Sequence, residues 1–134
     1  MSRSRRDPDN VTLARELLAF ARSMIERPAR TTAGVWARAA ALLARQALEV
    51  ALKTYWSAKS SGTEDVSMRA QLLCLEAMIG DDDIARRAHG TWGALSRACH
   101  YHAYELAPTR EELLVWCEDV QAVIERTERE WRSP

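Results

Sequence analysis

The sequence predicts an all-α fold, an antiparallel helical bundle of about five helices. Apolar residues recur at the three- and four-residue spacing of a helix face through most of the chain, no segment alternates apolar with polar as a half-buried strand does, and the connections are short. Short connections make sequential helices antiparallel neighbours packed at shallow angles. With 134 residues, the chain has the length of one domain, enough for a real core but not for two. The expected organisation is an arm over residues 1–10, one helical domain over 11–126, and a charged tail over 127–134.

The arm holds Arg3, Arg5, Arg6, Pro8 and Asp9. Asn10 can cap a first helix whose Val11, Leu13, Leu17, Leu18, Phe20, Ala21, Met24 and Ile25 repeat as a buried stripe ending near Pro28. Thr31 or Thr32 caps a second helix from about Ala33 to Ser57, the most regular part of the chain. Its Trp36, Ala39, Ala40, Leu43, Ala47, Val50, Ala51 and Trp56 spread around much of the circumference, so this helix is central or lies against more than one partner. After the turn Ser60-Ser61-Gly62-Thr63, Met68, Leu72, Leu75 and Ile79 mark a third helix that Gly80 ends.

Asp81, Asp82 and Asp83 begin the fourth helix, which continues through Ile84, Ala88, Trp92, Leu95 and Cys99 toward His102. Acidic residues in a first turn suit the helix dipole, and no liganding pattern accompanies them, so the three aspartates read as a cap and not as a metal site. The chain must leave helical geometry before Pro108. Thr109 and Glu112 have the spacing of a capping box for a fifth helix with the stripe Leu113, Trp116, Cys117, Val120 and Ile124.

Nineteen basic residues balance nineteen acidic ones, and the isoelectric point is near 6.8. A molecule without a large positive field binds nucleic acid through a local patch or not at all. Lysine occurs only at Lys53 and Lys59, so the basic side chains are nearly all arginine, the better fork for phosphate or carboxylate. Cys74, Cys99 and Cys117 are odd in number, far apart and set among apolar helical neighbours, the pattern of buried reduced thiols in a cytoplasmic protein. The first residues lack the apolar core of a secretory signal, and no stretch reaches transmembrane length without charge, so no membrane partner is expected. A Gly-rich phosphate loop, a Ser-His-Asp spacing, His-Glu-x-x-His and paired cysteines are all missing, and neither metal nor cofactor is expected.

The segment most suited to chemistry is Arg97-Ala98-Cys99-His100-Tyr101-His102, at the C-terminal end of the fourth helix. A permanent cation there can hold a phosphate while an imidazole moves a proton near neutral pH, which is what metal-free RNA cleavage requires. On a regular helix five steps set Arg97 and His102 about 140° apart, so the two converge only if the helix unwinds near Tyr101; His100, three steps away, stays closer. Tyr101 and Tyr104 beside the motif are candidates for stacking RNA bases, and the five tryptophans read as core or interface anchors. Gly90 and Gly93 inside the fourth helix mark either a kink or a close approach of two backbones, the latter at a dimer seam.

With an arginine followed after four residues by a histidine, and with Arg45-Gln46-Ala47-Leu48-Glu49 in the long helix matching an Arg-x-Ala-Leu-Glu pattern, the chain resembles the HEPN domains over roughly Val11 to Glu125. These are small all-helical domains of prokaryotic toxin, defence and RNA-processing systems. The resemblance implies a homodimer in which Arg97 and His102, supported by His100, form half of a metal-independent ribonuclease site that the partner completes. An antitoxin or a nucleotidyltransferase is the implied further partner. Family members that cleave RNA commonly carry a polar residue directly after the arginine, where this chain has Ala98. Other readings of the same residues are an inactive module that binds RNA, a nucleotide or a protein, and a purely structural dimerisation domain. In these Arg97 pairs with an acidic residue of a neighbouring helix and the histidines cap the helix end. His89, beside Gly90, reads as structural, and Arg45 and Glu49 read as an exposed or inter-helix ion pair.

Overall fold

A computed structural model describes residues 3–27, 35–100 and 106–132. Five α-helices follow one another, α1 (Arg3–Glu26), α2 (Trp36–Lys59), α3 (Met68–Met78), α4 (Asp82–Cys99) and α5 (Arg110–Arg132), with one 3-10 turn at Thr63–Asp65 and no strand among the described residues.

Helix α2 is the centre, in contact with α1, α4 and α5. Its sequence explains this position. Alanine is the strongest helix former, and Ala37, Ala40, Ala41, Ala44, Ala47 and Ala51, all buried, let neighbouring axes come close on several sides. Leu48, Leu52, Tyr55 and Trp56 fill the space between these small residues, with the Tyr55 and Trp56 rings edge to face at 4.9 Å.

Contacts between named residues give the helix directions. Arg38 reaches Cys99 and Trp92 reaches Glu49, so α4 runs against α2. Asp81 meets Arg126 and Arg87 meets Asp119, so α4 also runs against α5. The pair Arg15–Glu128 joins the middle of α1 to the last turns of α5.

The helix ends are held by the residues that the sequence marks. Asp81 caps α4 by accepting from the Ile84 N–H at 3.1 Å. Thr109 and Glu112 exchange two reciprocal hydrogen bonds of 3.1 Å at the start of α5. Gly80 turns the chain out of α3 with φ +67, a left-handed conformation in which a side chain would be strained. Ser67, which the sequence reading passed over, caps α3 through Ala70.

Several expectations need correction. α1 begins already at Arg3, so Asn10 lies within it and caps nothing, and the residues expected as an arm extend the helix. α5 likewise runs on to Arg132 through most of the expected tail. α2 starts at Trp36 on an N-cap, Val35, without a side-chain cap, while Thr31 and Thr32 lie outside the described residues. Cys99 and Cys117 are buried and all three thiols are free, but Cys74 is exposed, on the solvent side of the short helix α3.

Candidate functional site

Helix α4 divides its residues sharply between core and solvent. Ile84, Ala85, Ala88, Thr91, Leu95, Ala98 and Cys99 are buried, and Arg86, His89, Gly90, Arg97 and His100 are exposed. The cause is the helical period: positions three and four apart share a face, so the apolar set and the basic, small set fall on opposite sides. Arg97 and His100 are both exposed at the end of α4. The helix stops at Cys99 and His100 is its C-cap, with its N–H donating to the Arg97 carbonyl at 3.1 Å. The α4 end is anchored from α2, where the Arg38 Nε donates to the Cys99 carbonyl at 2.6 Å. That bond fills one of the carbonyls a helix end leaves unpaired and fixes where the Arg97–His100 turn begins.

His102, Tyr101 and Tyr104 lie outside the described residues. α4 itself ends at Cys99.

Arg97 makes no ion pair or side-chain hydrogen bond among the described residues, as is also true of Arg22, Arg69 and Arg110, whereas other arginines are engaged. Arg87 bonds Asp119 at 2.8 Å, Arg126 bonds Glu130 at 2.9 Å and Asp81 at 3.3 Å, and Arg15 pairs with Glu128. The free guanidinium lies back along its own helix. Its Nη1 is 3.5 Å from where a Cβ on Gly93 would stand, while Gly90 has nothing within 4 Å of that point. α4 runs unbroken through both glycines, and no second backbone of the described chain comes near them.

Arg97 borders an open groove of about 420 Å³ between the end of α4 and the start of α5. Ala94 and Ala98 line the α4 side, Pro108 and Leu106 the approach to α5, and Trp116 and Glu112 the α5 side. Leu106 is 97% exposed, an apolar side chain at the groove lip with almost no cover. The Trp116 indole is half-buried against the core. The sequence reading assigned stacking to tyrosines near the motif and tryptophans to the core. Trp116 does pack on the core as its place in the α5 stripe predicts; that it also borders the Arg97 groove depends on the register of α5 against α4, which the sequence does not give.

Arg45 and Glu49 pair within α2 at 3.3 Å, and Glu49 accepts from the Trp92 Nε1 of α4 at 3.3 Å. The pair thus ties α2 to α4 and does not line the groove. The other basic groove, about 490 Å³ between α1 and α5, contains Arg15, Arg22 and Arg27 but also Glu26, and no histidine. Arginine and imidazole line one groove together at Arg86 and His89, between α3 and α4, whereas His100 sits at the end of α4 and does not line the Arg97 groove.

Burial pushes the Cys99 thiol up from its ordinary range, and pushes that of Cys117 to about 11, so neither is a nucleophile near neutral pH. Among the described residues no group of three or more His, Cys, Asp or Glu side chains is arranged to hold a metal ion. No described helix is long and apolar enough to cross a membrane. Compared with models of known families, with curated proteins and with solved structures, the chain has no match.

Proposed function

We propose that this chain is a HEPN-like, metal-independent endoribonuclease of the toxin or defence type, with a site that a second copy completes across a twofold axis. The observation that carries the reading is Arg97, without a partner among the described residues, at an open groove with His100 one turn along the chain. Arg87 and Arg126 take carboxylates and tie helices together, whereas Arg97 borders the groove without a partner among the described residues. Arg97 leaves its fork available for a phosphate.

In the reaction the ribose 2'-hydroxyl attacks the adjacent phosphorus and the 5'-oxygen of the next nucleotide leaves. An imidazole takes the proton from the nucleophile or gives one to the leaving oxygen, and Arg97 stabilises the charge gathered on the phosphoryl oxygens. His102 and His100 are the candidate proton carriers. The exposed side of α4 at Gly90, which has open space around it, is the proposed seam between copies. In the cell an antitoxin or a nucleotidyltransferase would restrain the activity.

A second reading has its own observation. Ala98, where cleaving relatives of this type commonly carry a polar residue, is buried and packs on the core. A module that binds RNA at Arg97 without cutting it fits that residue. The two readings separate in a growth experiment with purified-protein controls. The nuclease inhibits growth on expression and loses that effect as Arg97→Ala or His102→Ala, with helical circular dichroism unchanged. A protein that binds RNA in vitro but leaves growth and RNA intact is the binding module.

A further inference from the structure

We infer that Trp116 is the floor of a nucleobase subsite in the Arg97 groove, so that the groove takes a nucleotide of single-stranded RNA with its base on the indole and its phosphate on the guanidinium. The inference rests on the reading of the groove as an RNA site and adds what part of the RNA it holds. Three features of one cavity combine. Arg97 supplies a cation with no partner among the described residues. The Trp116 indole is partly exposed and lines the groove from the α5 side while packing on the core. Leu106, almost wholly exposed, and Pro108 provide an apolar wall that a flat ring can cover.

A ligand that is only an anion has no use for that wall, and one that is only apolar leaves the arginine without a counterion. A nucleotide satisfies both, because each base has an apolar face and each linkage a charge. At about 420 Å³ the groove has the size of a small-ligand pocket. Every base presents a face of this kind, so the subsite tolerates any base and discriminates against its absence. Glu112 also lines the groove; one of its oxygens accepts from the Thr109 N–H and the carboxylate keeps its charge, so a phosphate on Arg97 lies on the α4 side, away from it.

The test separates binding from cleavage by using 2'-O-methyl oligonucleotides, which lack the attacking hydroxyl. Affinity is measured by fluorescence anisotropy for a single-stranded oligomer and for the same backbone with abasic positions. The unmodified protein should prefer the oligomer with bases by about tenfold. Trp116→Leu should remove that preference while still binding both backbones, Trp116→Phe should keep most of it, and Arg97→Ala should weaken both ligands. A preference that survives in Trp116→Leu, or no preference in the unmodified protein, overturns the subsite. If Trp116→Leu loses helical circular dichroism, the comparison between Trp116→Phe and the unmodified protein decides, with an unchanged preference expected and a lost one contradicting stacking. Failure of the nuclease reading is seen elsewhere, as intact unmethylated RNA, and leaves this result standing.

Discussion

Arg97 and Arg126 are the same side chain put to different uses, and the difference is measurable. Arg126 bonds Glu130 and Asp81 and donates to the Ile79 carbonyl at 3.3 Å, tying α5 to the turn between α3 and α4. Arg126→Ala should cost about 1 to 3 kcal/mol in urea unfolding, because it leaves charged and carbonyl acceptors without their donor. Arg97→Ala breaks no such contact and should stay within about 0.5 kcal/mol of the unmodified protein. A large loss of stability on removing Arg97 would assign it to the fold. The thiols give a second check at this scale. Cys74 should react quickly with a thiol reagent in the native protein, while Cys99 and Cys117, buried and held in the thiol form, should react only after denaturation. The sequence places Arg97 and His100 at the end of the fourth helix, and α4 does end there, at Cys99 with His100 as its C-cap. That Cys74 faces solvent was not legible, because three-residue apolar spacing in an 11-residue helix does not reveal which face finds a partner.

Among the helices, the junction of α3, α4 and α5 carries the pH dependence. The backbone N–H of Ile84 and the Arg126 guanidinium hold the Asp81 carboxyl below its ordinary range, and Arg126 does the same for Glu130. A carboxyl with a lowered folded value contributes stability above its unfolded value and loses that contribution as pH falls through the folded one. Stability should therefore be flat above the ordinary carboxylate range and drop below about pH 4. Asp81→Asn should lessen that drop in a pH series of thermal unfolding, and an unchanged acid limb would contradict the assignment. Capping chemistry made the starts of α4 and α5 readable, since Asp81, Thr109 and Glu112 act through near neighbours in sequence. The start of α1 was not readable. Pro8 lacks a donor and Asn10 is a good cap, so local rules place a boundary where the helix continues from Arg3.

For the whole molecule, the fold class followed from periodicity, and the central place of α2 from apolar residues around its circumference. Only the tertiary arrangement reveals the groove, where antiparallel packing of α4 and α5 sets Trp116 and Leu106 beside Arg97. The exposed glycine side of α4 is the surface a second copy would use. A Gly90→Cys variant in a Cys74→Ser background should form a crosslinked dimer on mild oxidation, because Gly90 has open space around it. The same variant staying monomeric while the protein sediments as a dimer would put the seam elsewhere. The most direct measurement is incubation of the purified protein with total tRNA in excess chelator, beside Arg97→Ala and His102→Ala, followed by analysis of the RNA ends. The account predicts fragments with 2',3'-cyclic phosphate ends from the unmodified protein alone; intact RNA in every reaction, or equal cutting by Arg97→Ala, would contradict it.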